Sequence, residues 1–68
     1  MKNEDTEMII ENLKKALHDK GITVYELSEC TGIKYELLRR SLNGTRNLKV
    51  DELAMILRES GICFEDIN

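Results

Sequence analysis

The side chains best suited to bind a ligand are basic and lie together in the middle of the chain. Residues 32–49 carry five basic side chains against one acidic one, a local net charge of +4. The 68-residue chain as a whole has a formal net charge of -3. Ammonium and guanidinium groups at this density can pair with phosphates, and a guanidinium can also fork onto the edge of guanine. The five are Lys34, Arg39, Arg40, Arg46 and Lys49.

The segment that must position these side chains is 23–44, which the sequence predicts as two short helices joined by a tight turn. Thr23 is a good N-cap, and Glu26 three residues later completes a capping box. Gly32 can adopt the left-handed conformation that ends the first helix. Two helices joined in this way form a helix-turn-helix, which presents its second helix to the major groove of DNA.

The second of these helices has distinct inner and outer faces. Leu38 and Leu42 are expected to point inward, and the helix is expected to end at Asn43-Gly44. The helical period then turns four polar or aromatic side chains outward. These are Tyr35, Glu36, Arg39 and Arg40.

The rest of the chain predicts an all-α, compact bundle of four to five short helices in a single domain, residues 1–68. Residues 1–5 are expected to fray. A first helix has the apolar period of Ile9, Ile10, Leu13, Ala16 and Leu17. A fourth runs from about Val50 to Ser60, with an inner face of Val50, Leu53, Ala54, Ile56 and Leu57. Leu48 is expected to pack against the core, leaving Arg46 outside.

Composition argues against several classes of function. There is no Ser/His/Asp arrangement, paired carboxylate site or Gly-rich phosphate loop, so no enzyme, cofactor or small-molecule ligand is expected. One histidine, His18, and two cysteines do not supply a zinc site. Without a run of 18 apolar residues or a secretory signal, the expected location is the cytoplasm and no membrane is involved. Cys30 and Cys63 are expected to be buried thiols.

The spacing of these residues resembles the lambda repressor-like helix-turn-helix domains of the Cro/cI or Xre type. The resemblance covers roughly residues 8 to 67. It rests on an ordered set of positions: Gly21, Thr23, Leu27-Ser28, Gly32-Ile33, Leu38, Asn43-Gly44, Leu53, Ile56 and Gly61-Ile62.

The resemblance implies sequence-specific binding of double-stranded DNA, commonly as a dimer, and regulation of transcription, often in phages and mobile elements. By position, it assigns base-facing roles to Tyr35, Glu36, Arg39 and Arg40. It places Lys34 at the start of the recognition helix and Thr45 and Arg46 in a loop that contacts phosphate. Val24 stands where the family often has a glutamine that contacts the DNA backbone, and valine cannot make that hydrogen bond.

Several of these side chains have a second interpretation. Arg39 and Arg40 can contact bases or phosphates, or form only surface salt bridges. Tyr35 can contact DNA or lie partly buried, and Glu36 can accept from cytosine or only stabilise the helix N-terminus. Asn43 can donate to a phosphate or act as a helix C-cap.

Two alternatives concern partners. The apolar residues Ile62, Phe64 and Ile67 are candidates for a homodimer contact, or they close the core. The whole scaffold can also serve as a protein-interaction module, such as an antirepressor or adaptor, with weak or no DNA binding. The acidic net charge and Val24 favour that alternative, and the local basic cluster favours DNA.

Overall fold

Residues 4–68, the part of the chain that the computed structural model describes, form five α-helices. The predicted all-α fold is confirmed. Glu4 and Asp5, expected to fray, belong to the first helix, and residues 1–3 lie outside the described range. The helices are α1 (Glu4–Asp19), α2 (Val24–Thr31), α3 (Tyr35–Leu42), α4 (Val50–Ser60) and α5 (Phe64–Ile67).

The predicted capping box begins α2. The hydroxyl of Thr23 accepts from the N–H of Glu26 at 3.1 Å, and a carboxylate oxygen of Glu26 accepts from the N–H of Thr23 at 3.0 Å. The bond from the N–H of Thr23 is the main reason that the pKa of Glu26 is lowered, and the Thr23 hydroxyl, which donates to the same carboxylate at 3.1 Å, lowers it further. At the C-terminal end of α2, Gly32 has φ of 78° and its N–H donates to the carbonyl of Ser28. A left-handed residue here turns the chain sharply, because the helix cannot continue through it.

Removing this cap should weaken the fold measurably. We expect Thr23→Ala to lower the free energy of unfolding by about 1 kcal/mol, because the N–H of Glu26 loses its acceptor. In a domain of this size that corresponds to a fall in Tm of about 4–8 °C, measured by circular dichroism. Thr23→Ser keeps the hydroxyl and should melt close to the wild type. Equal melting of all three proteins would contradict the capping role.

The core is built from leucine and isoleucine side chains of all five helices. Leu38 and Leu42 are buried, as predicted, so α3 is anchored by its inner face. Leu48 packs against the same cluster from the loop before α4, also as predicted. The buried apolar set is Leu13, Leu17, Leu27, Leu38, Leu42, Ile56, Ile62 and Ile67.

The predicted inner face of α4 is wrong at two residues. Val50 is 85% exposed, and Ala54 is exposed as well. The inward stripe of α4 is narrower than predicted and runs at helical spacing through Leu53, Ile56, Leu57 and Ser60. Val50 lies in the first turn, beyond the area that the core covers.

The two cysteines are also placed differently from the prediction. Cys30 and Cys63 are both exposed and free, not buried. In α2 the buried position is Leu27, and Cys30 is three residues later on a face turned away from the core. Cys63 precedes α5 in a surface turn. The general tendency of cysteine to be buried is overridden by helix register at Cys30 and by the surface position of the N-cap of α5 at Cys63.

The end of the chain closes the core against its beginning. α5 packs on α1, and the side-chain amide of Asn12 donates to the carbonyl of Ile67 at 3.0 Å. Ile62 and Ile67 are buried inside this junction, whereas Phe64 is 48% exposed. Two of the three residues expected at a dimer contact therefore belong to the chain's own core, and only Phe64 is available to a second copy.

Candidate nucleic-acid interface

The outer face of α3 is formed as predicted. Tyr35, Glu36, Arg39 and Arg40 are all exposed, and so is Lys34 immediately before the helix. On the opposite face Leu38, Ser41 and Leu42 are buried. The structure therefore brings the candidate contact residues onto one side of a short helix whose other side is fixed in the core.

The turn before α3 is held by side-chain hydrogen bonds. The hydroxyl of Ser28 donates to the carbonyl of Ile33 at 2.7 Å. Thr31 donates to the carbonyl of Leu27 at 2.8 Å and accepts from the N–H of Ile33 at 3.2 Å. Because these bonds link the end of α2 to the start of α3, they fix the angle at which α3 is presented. Lys34 then begins α3 without a side-chain cap.

Arg39 forms an ion pair on the surface of α3. Its guanidinium lies 3.0 Å from the carboxylate of Glu36, and the two side chains are 46% and 65% exposed. Such exposed pairs contribute about 0–1 kcal/mol, so a phosphate or a base can replace Glu36 at little cost. Arg40 makes no side-chain ion pair with any described residue.

The residues after α3 form its C-terminal cap. The N–H of Asn43 donates to the carbonyl of Arg39 at 2.9 Å, and Gly44 has φ of 83°. Thr45 returns two hydrogen bonds to the carbonyl of Arg40, from its N–H at 2.9 Å and its hydroxyl at 3.1 Å. Asn43 is therefore the C-cap residue of α3, which is one of its two predicted roles. The side chains of Asn43 and Thr45 remain on the exposed surface.

Arg46 is not where the sequence placed it. Instead of pointing outward, its guanidinium forks onto both carboxylate oxygens of Glu52, at 3.1 and 3.0 Å. It also donates to the hydroxyl of Ser41 at 2.8 Å. The two ion-pair side chains are only 22% and 16% exposed. The expectation that Arg46 lies outside is wrong, because a nearby carboxylate and a buried hydroxyl hold its guanidinium against the domain. Its contact with phosphate stays a prediction.

Glu52 is a residue that sequence reasoning missed at this site. Its carboxylate accepts from the N–H of Lys49 at 3.0 Å as well as from Arg46. The hydrogen bonds from Arg46, which are the largest contribution, keep the pKa of Glu52 below its ordinary value. The one available signal was an acidic residue in the first turn of α4, six positions after an arginine, which by itself suggests only a helix-dipole interaction.

The basic cluster is therefore weaker at the surface than its sequence suggests. Glu36 partly neutralises Arg39, and Glu52 neutralises Arg46. Among the described residues, the basic side chains of this cluster without an ion-pair partner are Lys34, Arg40 and Lys49.

Comparison with known families identifies the domain. Residues 12–68, which are 57 of the 68, match the family model of the Cro/C1-type HTH DNA-binding domain. The chain belongs to this family. Membership confirms the resemblance and assigns the Cro/C1-type domain to DNA binding and transcription regulation. Searches of the curated proteins and of the solved structures return no match.

The described part of this Cro/C1-type domain has neither a membrane-spanning helix nor a cluster of metal-ligating side chains. None of its helices there combines the length and the apolar character that crossing a bilayer requires. Residues 4–68 also contain no group of three or more histidine, cysteine or acidic side chains arranged to hold a metal ion.

Proposed function

We propose that this Cro/C1-type domain binds specific sequences of double-stranded DNA with α3 in the major groove and regulates transcription from those sites. The observation that carries the proposal is the exposed face of α3, set directly opposite a fully buried anchor. An α-helix with side chains on its outer face has the right dimensions to enter the major groove and reach the base edges. Residence in the cytoplasm stays a prediction from the composition of the sequence, and an origin in a phage or mobile element stays a prediction from the resemblance.

The side chains of this face suit different parts of a duplex. Arg40, which has no ion-pair partner among the described residues, can fork onto guanine, a contact worth about 1–3 kcal/mol of discrimination. Tyr35, 44% exposed at the start of the helix, can contact a thymine methyl or a phosphate. Glu36 can accept from cytosine N4 when it releases Arg39. Lys34, Asn43 and Thr45 flank the helix and can donate to phosphates.

The proposal predicts a particular dependence on salt. Each cation placed on a phosphate makes the logarithm of the association constant fall with the logarithm of salt concentration at a slope of about -0.9, so Lys34, Arg39 and Arg40 together contribute at most about -2.7 per domain. We would select from a pool of random duplexes at two salt concentrations and sequence the enriched molecules. We expect one enriched motif and the stated salt dependence.

The same selection reports on the homodimer. Two domains related by a twofold axis read a palindrome whose half-sites are about one helical turn, or roughly 34 Å, apart. A palindromic motif would support dimeric binding, and a single half-site would favour a monomer. Phe64 is the one residue of the predicted dimer cluster that is exposed to a second copy.

A protein partner is the second candidate. It is favoured by the formal net charge of -3 and by the ion pair of Arg46 with Glu52, which a phosphate would have to displace. This proposal predicts no enriched motif and no duplex binding even at low salt. That outcome would overturn the DNA proposal and favour an antirepressor or adaptor.

A further inference from the structure

The hydrogen bonds of Arg46 connect the C-terminal end of α3 to the start of α4. Ser41, on the inner face of α3, is only 1% exposed, and its hydroxyl accepts from Arg46. The same guanidinium forks onto Glu52. The carboxylate of Glu52 also accepts from the N–H of Lys49, the N-cap residue of α4. An unbroken series of hydrogen bonds therefore runs from α3 to α4.

Few other contacts connect this end of α3 with α4. The backbones of α3 and α4 come close at few points, because α3 packs mainly on α1 and α2. A groove of about 420 Å³ also separates the end of α3 and the loop after it from Glu7, Ile10 and Glu11 of α1. Leu42 anchors the end of α3 in the core, and the hydrogen bonds of Arg46 provide its connection to α4.

The start and the end of α3 are held by different groups. The start follows a turn with its own side-chain hydrogen bonds, which involve Ser28 and Thr31. The end carries Arg40, whose carbonyl accepts from the N–H and the hydroxyl of Thr45. Thr45 is the neighbour of Arg46 in the chain, so a displacement of Arg46 is transmitted to the C-terminal half of α3 more than to its start.

Reading a base edge depends on such positioning. A guanidinium forks onto guanine only when two of its N–H groups meet their acceptors at good geometry. The side chains of a binding site must be held within about 0.5 Å of the productive arrangement by rigid supporting contacts. Apolar packing is not directional, whereas the two-bond contact of Arg46 with Glu52 fixes orientation as well as distance.

We propose that Arg46 is a positioning residue for DNA recognition, which together with Ser41 and Glu52 holds the C-terminal half of α3 at the angle from which Arg40 reads a base pair. This proposal rests on the proposed function. Arg46 then determines base preference from inside the domain, through its hydrogen bonds to α3 and α4, and it does not contact phosphate.

The test uses Glu52→Gln, because the two possible roles of Arg46 give opposite results in this variant. Glutamine keeps the shape of the side chain but removes the charge that holds Arg46. A positioning role predicts a loss of base preference, whereas a role in phosphate binding predicts tighter binding by the released guanidinium. Glu59→Gln removes the same charge from an exposed position of α4 and is the matched control.

Base preference is measured as the ratio of two affinities, for the selected duplex and for a duplex with one base pair changed. Partial unfolding of a variant lowers both affinities by the same factor and leaves the ratio unchanged. The base pair that Arg40 reads is the one at which Arg40→Met loses its preference. At this base pair we expect discrimination to fall from about thirtyfold to less than about fivefold in Glu52→Gln and in Arg46→Met. At the other base pairs, and in the salt slope, Glu52→Gln should match Glu59→Gln.

The outcomes separate this proposal from the proposed function. If Glu52→Gln and Arg46→Met keep their discrimination at the base pair of Arg40, the positioning role is overturned and the role of α3 stands. It is also overturned if Glu52→Gln binds more tightly than Glu59→Gln with a salt slope steeper by about 0.9, since Arg46 is then a phosphate contact. An equal loss at every base pair overturns it too, because the whole domain is then loosened. If the wild type enriches no motif, both proposals fail.

Discussion

The largest effect on DNA binding is expected from Arg39→Glu combined with Arg40→Glu. We expect this variant to lose at least about a thousandfold in affinity for the selected duplex, because two contacts worth about 2 kcal/mol each are replaced by repulsion from phosphate. Both side chains are exposed and neither belongs to the buried core, so the fold should persist. Fluorescence anisotropy with a labelled duplex measures the loss, and circular dichroism verifies the helices.

A control variant separates this effect from a change in net charge. Lys15→Glu with Arg58→Glu alters the net charge by the same amount, using exposed residues of α1 and α4 outside the basic cluster. Its affinity should fall far less. If the two double variants lose binding equally, long-range charge would explain the effect and α3 would not be the contact helix. If neither loses binding, the proposed interface is in the wrong place.

The largest effect on stability is expected from Arg46→Met. Removing one partner of a buried ion pair lowers the free energy of unfolding by about 3–5 kcal/mol, and removing one partner of an exposed pair lowers it by about 0–1 kcal/mol. With side chains 22% and 16% exposed, the Arg46–Glu52 pair lies between these cases. We expect a loss of about 2 kcal/mol at neutral pH, since Glu52 loses its cation and the buried hydroxyl of Ser41 loses its donor. Urea denaturation measures the change.

The pH dependence of this loss follows from the lowered pKa of Glu52. A carboxyl with a lowered pKa in the folded state stabilises the protein above its unfolded pKa, and this stabilisation disappears as the pH falls through the folded value. The difference between the wild type and Arg46→Met should therefore shrink as the pH falls below the ordinary carboxyl range and through the lowered pKa of Glu52. Glu26 also has a lowered pKa, but its contribution to stability is the same in both proteins and cancels from the difference between them.

Two comparisons make this prediction specific. Arg58→Met breaks a surface pair with Glu59, whose atoms lie 3.6 Å apart, and should change stability by less than about 0.5 kcal/mol. A double-mutant cycle with Glu52→Gln should show coupling of about 1–2 kcal/mol. If Arg46→Met is as stable as the wild type but has a shallower salt slope for DNA, Arg46 would be a phosphate contact after all.

The features that the sequence predicted correctly depend on neighbours in the chain. The capping box of Thr23 and Glu26 needs residues three apart, and the turn at Gly32 needs one residue with positive φ. The inward positions of Leu38 and Leu42 follow from the helical period. Local chemistry determined these features, so a single sequence was sufficient to predict them.

The features that could not be predicted from the sequence depend on which surfaces meet in three dimensions. Arg46 and Glu52 pair only because the loop after α3 folds back on the start of α4. Val50 has an apolar side chain at a helical spacing, but the core ends before reaching it. Lys14 joins Arg39 in one groove because α1 lies beside α3, a proximity that no spacing in the sequence encodes.

The hydrogen bond between Asn12 and Ile67 has a consequence for the timing of folding. It joins residues 55 apart in sequence, and both α1 and α5 bury side chains in the shared core. Contacts of such long separation form late, because their loop-closure entropy must be overcome first. During synthesis, α2 and α3 can therefore form while the core is still open. We expect the nascent chain to expose the apolar side of α1 until residue 67 is available, so that chaperone binding is concentrated in that interval.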